Sequence, residues 1–187
     1  MPLISHGPGL RRRMDNDAKV IWITGLYGSG KSTIATKIQE LLRLKGIKSI
    51  IIDGDQFRSA VNDDACGHDK ESRIRNAFRI CRLVKFIADQ GFIVIVATMS
   101  LYHVVHEWNR KNLPRYHEVF LDVDMEILRE RDPKGYYKKA DSGAIDNIVG
   151  VHLDAEIPKE PDLVIENNDN IETVPIIAQR LIDEFLG

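Results

Sequence analysis

Cysteine is scarce in this chain. Cys66 and Cys81 are the only two, and neither their number nor their spacing suits a disulfide framework or a zinc site. They read as reduced, semi-buried thiols of a cytosolic protein. Long hydrophobic runs are missing as well, since no segment approaches the roughly 20 apolar residues that a membrane-spanning helix needs. Charge of one sign is not in excess either. Lys and Arg number 26 against 28 Asp and Glu, giving a net charge of −2, so no global basic field invites nucleic acid. The one dense basic run, Arg11–Met14, sits near the N-terminus. Internal repeats, low-complexity segments and the apolar core of a signal peptide are also lacking. These absences leave a soluble, cytoplasmic protein with neither membrane nor nucleic acid as a partner.

What is present begins after an unpatterned stretch. Residues 1–18 carry two prolines, two glycines and no periodicity, and read as a disordered leader or an expression remnant. Residues 19–187 then suffice for one domain with its own core. Compact apolar runs alternate there with helical patterns. "KVIWITG", "KSIIIDGD", "FIVIVAT", "HEVFLDV" and "DLVIEN" read as five buried strands. Ile34, Ile38, Leu41 and Leu42 share one helix face that Gly46 closes. Ile74, Phe78, Cys81, Val84 and Ile87 share another, stopped by Gly91, and "IETVPIIAQRLIDEFL" forms a last amphipathic helix. Near-continuous Val/Ile strands separated by helices predict an α/β fold, a mainly parallel, doubly wound sheet in three layers. In such sheets ligands gather at the carboxyl ends of the strands.

The chemistry-bearing residues stand at those ends. "GLYGSGKS", Gly25 to Ser32, has the form G-x-x-x-x-G-K-[ST] and falls between the first strand and a helix. Its glycines let backbone N–H groups face a polyphosphate, and the helix aims its positive end at the same charge. The nucleotide is expected on Gly28, Ser29, Gly30, Lys31, Ser32 and Thr33, with Lys31 reaching the β and γ phosphates and Ser32 ligating Mg²⁺. "DGDQFR" ends the second strand. Two carboxylates at i and i+2 on an exiting strand can both face the crevice. Asp53 suits the metal's water shell, Asp55 the removal of a proton from an attacking hydroxyl, and Arg58 an anionic acceptor. Ser100 ends the third strand and is a further candidate. A plain Asp-Gly turn with a solvated arginine is the bland alternative, and the neighbouring phosphate loop argues against it. Trp22 reads as core. His103, His106 and His117 lack metal-ligand spacing, Asp63 and Asp64 read as solvated, and Tyr27 has no evident role.

Together "GLYGSGKST", "DGDQFR", "GHDKESRIRN" and "RDPKGYYKKA" resemble the adenylylsulfate kinase family, in order, from about Val20 to Asn167. That resemblance implies P-loop kinase activity, moving the γ-phosphoryl group of ATP to the ribose 3′-hydroxyl of adenosine 5′-phosphosulfate (APS) with Mg²⁺. It also implies a homodimer. Asp55 would be the base, assisted by Lys31, and Arg58, Arg73 and Asn76 would hold the acceptor. "RDPKGYYKKA" would be a lid over ATP, with Arg131 against the adenine and Lys134, Lys138 and Lys139 neutralising phosphates, Lys139 also on the acceptor side. Independently of the family, a basic segment between strands four and five is what phosphoryl transfer requires. A charged surface helix is the plainer reading of it.

The departures from the family pattern cluster on the acceptor side. His68 and Ile148 stand where phenylalanines would cover the two faces of the acceptor base. Ser72 and His152 replace aspartates, Phe78 replaces an arginine, and "SLY" replaces S-P-Y. Losing two aromatic faces weakens base stacking by about 1–3 kcal/mol per face. A sister group acting on cytidine diphosphoramidate in capsule-sugar modification shares the pattern, and "EWNRKN", Glu107 to Asn112, is closer to that group. The acceptor is therefore APS or a similar nucleotide, with cytidine diphosphoramidate as the alternative. A non-catalytic nucleotide-binding regulator is the remaining possibility. The intact Lys31, Ser32, Asp53 and Asp55 speak against it, and the absent N-K-x-D motif speaks against a GTPase.

Overall fold

The computed structural model describes residues 18–61, 67 and 69–187. Five strands, β1 (Val20–Gly25), β2 (Ser49–Asp53), β3 (Ile93–Ala97), β4 (Tyr116–Asp122) and β5 (Leu163–Glu166), form one sheet in the order β2-β3-β1-β4-β5. Every pairing is parallel. The chain leaves β1 for one side of the sheet and later crosses to β4 on the other, so the order reverses around β1, where open α/β sheets place their ligands.

The strands alternate faces with period two, and each face has its own helices. Ile21 and Ile23 of β1 join Ile95, Val119, Leu121 and Ile165 against α1 (Lys31–Leu44) and α7 (Val174–Phe185). Val20 and Trp22 join Val94, Val96 and Tyr116 against α3 (Lys70–Ala88) and α4 (His103–Asn112). Because both faces are covered, the strands read as unbroken apolar runs. Trp22 is fully buried, as expected of a core residue. Cys81 is buried completely rather than partly, and that burial pushes its thiol up to about 12.

Ala18, assigned to the leader on sequence, is also fully buried in the second layer. The rest of the leader, together with Asp63, Asp64, Cys66 and His68, lies outside the described residues. Three further helices are shorter: α2 (Gly54–Val61), α5 (Met125–Arg131) and α6 (Tyr136–Asp141). α2 buries no residue. It is started instead by the Asp53 carboxylate, whose Oδ1 accepts the N–H groups of Asp55 (2.9 Å) and Gln56 (3.1 Å). Among the described residues no helix is long and apolar enough to cross a membrane.

Candidate active site

The loop after β1 is held from beneath. Ser29 is fully buried, and its carbonyl accepts a 2.8 Å bond from Nδ2 of Asn167, which follows β5. Gly30 caps α1 with φ +95°, and a Cβ there would sit 2.8 Å from the same Asn167 nitrogen. Only glycine combines that backbone with that approach. Gly25 is equally constrained, since a Cβ would meet the Leu121 carbonyl at 2.7 Å. The turn is thus shaped by β4 and β5 as much as by its own sequence.

Lys31 folds back over the loop, with Nζ donating to the Leu26 carbonyl at 2.7 Å and lying 3.3 Å from the Ser29 hydroxyl. Burial pushes its ammonium down to about 8, against the pull of the Asp55 and Asp53 carboxylates. The Ser32 hydroxyl donates to Asp53 Oδ2 at 2.5 Å. Asp53 therefore does two jobs, one oxygen starting α2 and the other reaching the phosphate loop.

Asp55 lies in the first turn of α2, not on the exiting strand. Its Oδ2 accepts a 2.6 Å bond from Lys134 Nζ, across 79 positions of sequence. The bond raises the Lys134 pKa above its ordinary value. Lys134 belongs to the turn between α5 and α6. The segment is anchored by aromatic packing, because Tyr27 contacts Tyr136 (ring centroids 4.6 Å) and Tyr137 (5.9 Å). The Tyr137 hydroxyl donates to the Tyr27 carbonyl at 3.0 Å. That contact accounts for Tyr27, which had no role on sequence. Arg131 donates to the Asp169 carbonyl at 2.5 Å.

One cavity of about 850 Å³ runs along the carboxyl edge of the sheet. Gly28, Gly30, Lys31, Ser32, Thr33, Asp53, Asp55, Arg58, Arg73, Asn76, Ser100, Arg131, Lys134 and Ile148 all line it. Ser29 supports the loop from behind instead. Lys138 and Lys139, expected to neutralise phosphates, are exposed on α6 and are not among the lining residues. The buried face of that helix belongs to Tyr137 and Ala140, so the two lysines turn outward.

Elsewhere on the cavity, Arg58 donates to the Gly67 carbonyl (3.2 Å) and Arg73 to the Asn147 carbonyl (2.9 Å). Asn76 is buried and Ile148 closes the wall. The Ser100 and Thr98 hydroxyls are 3.1 Å apart. Tyr102, Met99, Asn167, Asp169, Ile171 and Val174 also line the cavity and were missed on sequence. Asn167 was findable, because it follows the end of a strand; Ile171 opens a short 3-10 turn and Val174 the last helix, where no rule pointed. Of the histidines without ligand spacing, His106 is buried near Ser100 and His117 stacks on Phe185 at 4.4 Å.

Comparison with known proteins agrees with this arrangement. The adenylylsulphate kinase family profile matches residues 17–166. A cytidine diphosphoramidate kinase of Campylobacter jejuni subsp. jejuni serotype O:2 is 42% identical over 171 residues, covering 90% of this chain and 99% of the relative. An adenylyl-sulfate kinase of Buchnera aphidicola is 38% identical over 167 residues, covering 87% and 81%. Among solved structures, the Mycobacterium tuberculosis APS kinase in complex with AMPPNP and APS superposes with a TM-score of 0.83 at 32% identity, covering 91% of this chain and 98% of that one. The loop after β1, the carboxylates at the end of β2 and the start of α2, and the aromatic-anchored α5–α6 segment thus belong to a phosphotransferase of the adenylylsulphate kinase family.

Proposed function

We propose that this protein moves the γ-phosphoryl group of ATP to a ribose hydroxyl of an anionic nucleotide, and that this acceptor is cytidine diphosphoramidate in preference to APS. The reaction class is supported by the convergence of Lys31, Ser32, Asp53 and Asp55 on one cavity whose far wall carries Arg58, Arg73 and Asn76. Loop N–H groups and Lys31 hold the ATP phosphates at the head of α1. Ser32 Oγ and Asp53 Oδ2, 2.5 Å apart, are hard oxygen donors of the type Mg²⁺ takes, directly or through water. When bound, Mg²⁺ would spread the charge that develops on the transferring group.

Asp55 takes the proton of the acceptor hydroxyl, but at rest it is occupied by Lys134. Arriving phosphates offer that ammonium a denser negative partner. Its departure frees the carboxylate and brings the lid over the nucleotide, excluding water. Lys134 is 49% exposed and Asp55 69%, so the resting pair is a weak one, worth about 0–1 kcal/mol. It can be broken at little cost.

For the acceptor, the base wall offers aliphatic Ile148 where an aromatic face would best hold a purine. A pyrimidine loses less from that exchange. The 42% identity to the cytidine diphosphoramidate kinase over nearly its whole length favours the same choice. The deciding assay follows ATP consumption by purified protein with Mg²⁺ and each acceptor in turn, with Asp55→Asn as control. A cytidine diphosphoramidate kcat/KM well above that for APS, with kcat falling about 10²–10⁴-fold in Asp55→Asn, is the expected outcome. Preference for APS would overturn the acceptor assignment and keep the reaction. Turnover of neither, with ATP still bound, would overturn both.

A further inference from the structure

The segment between β3 and α4, residues 98–102, forms one wall of the cavity without regular secondary structure. Its position must therefore come from side chains and isolated bonds. The Thr24 hydroxyl donates to the Met99 carbonyl at 2.6 Å. The Ser100 carbonyl accepts from the Tyr102 N–H at 2.9 Å and lies 2.8 Å from Nε2 of His106. A carbonyl oxygen can only accept, so Nε2 carries a hydrogen and this contact assigns the imidazole's tautomer.

His106 packs against β4 on its other side. It is 6% exposed, and its Nδ1 has no hydrogen-bond partner but lies 3.5 Å from Oε1 of Glu118. Glu118 is buried and fixed in turn by Arg110 (2.9 Å) and the Tyr116 hydroxyl (3.0 Å). The ring thus stands between a rigid buried cluster on β4 and α4 and an irregular loop on the cavity wall. On the far side of that loop the Thr98 hydroxyl packs so closely over Gly54 that a Cβ there would come within 2.7 Å of it, next to Asp55.

We propose that His106 is a positioning residue for acceptor binding: its Nε2–H fixes the Ser100 carbonyl and so sets where the Ser100 hydroxyl and the Thr98 hydroxyl packed over Gly54 stand on the cavity wall. This rests on the reading above that the Ser100 wall meets the acceptor. A histidine that merely fills space among α4 and β4 would leave acceptor and ATP kinetics equally affected by any substitution. One that acts through Ser100 has a direction.

Two amides separate the cases. Gln places its NH₂ near the position of Nε2 and can still reach Ser100, whereas Asn places it near Nδ1, towards Glu118. His106→Asn should raise the acceptor KM about tenfold, the worth of one buried hydrogen bond, with ATP KM within about twofold. His106→Gln should return the acceptor KM to within about threefold of the parent. Equal effects of the two variants, an effect confined to ATP KM, or no effect of either would overturn the proposal. Should the parent protein use neither acceptor, the substrate assignment fails separately. Amide hydrogen exchange at residues 98–102 then decides: faster exchange in His106→Asn than in His106→Gln supports the role, and identical protection refutes it.

Discussion

ATP binding to this protein should take up close to one proton at pH 9 and almost none at pH 7. The reason lies in Lys31, whose ammonium is pushed down to about 8 by burial, with the nearby charge of Lys134 acting the same way. A group with that pKa is about 90% deprotonated at pH 9 and about 10% at pH 7. Phosphates arriving within about 4–6 Å restore the charged form, so the missing proton must come from solvent. The same arithmetic weakens ATP affinity about tenfold between pH 7 and pH 9. Titration calorimetry in two buffers of different ionisation heat reads the uptake directly. Lys31→Arg is the control, because a guanidinium stays charged throughout. Equal uptake at the two pH values, or uptake that survives in Lys31→Arg, would refute the reasoning.

The sign for stability runs opposite to the familiar ion-pair case. Lys31's folded pKa is depressed, so below about 8 both states are charged and the burial cost is carried in full. Between about 8 and its ordinary 10.5, the unfolded chain binds a proton that the native state does not, and stability contributed by this group rises with pH. The gain is at most about 3 kcal/mol, and less in practice because the side chain is only partly shielded on the cavity wall. ATP abolishes it by recharging the lysine.

Two further outcomes follow from the site. Asn167→Ala removes the donor to the buried Ser29 carbonyl and should cost about 1–3 kcal/mol, read as a lower melting temperature with weakened ATP binding; an unchanged melt would mean the loop holds its shape alone. Lys134→Met should leave stability within about 1 kcal/mol, since the pair with Asp55 is exposed, yet lower kcat about 10²-fold by removing charge from the closing lid. A loss of stability without a loss of kcat would contradict the resting-state role given to that lysine.

The sheet was legible because a parallel strand covered on both faces must be apolar at every position, and Val20–Ile23, Ile50–Ile52 and Ile93–Val96 are. The strand-end rule pointed to Lys31, Asp53 and Ser100, which line the cavity, and Asn167 obeys the same rule. α2 was not legible because burial does not make it: no residue of it is buried, and the helix is started by the Asp53 carboxylate. Tyr27 had no explanation because its partners Tyr136 and Tyr137 arrive from more than a hundred positions away. Lys138 and Lys139 face solvent for a related reason. In "GYYKKA" the lysines look like the functional residues, but the buried Tyr137 and Ala140 decide which way α6 faces.

The acceptor side resists position-by-position reading for a deeper physical cause. Departures from the family pattern that look independent along the chain are joined in space. Phe78, where an arginine was expected, meets Trp108 of the equally divergent "EWNRKN" edge to face, with ring centroids 6.2 Å apart, so α3 and α4 are packed together there. Arg73, retained, donates to the Asn147 carbonyl, next to Ile148 on the cavity wall. The guanidinium proposed for the acceptor therefore also holds the segment that carries Ile148. A ligand meeting this end of the cavity meets that wall as a unit, and restoring Phe at position 148 alone would place a ring on a strap still set by Arg73 and Asn147. Specificity here is a property of the packed surface, which is why the intact ATP side could be read from motifs while the acceptor requires the assay.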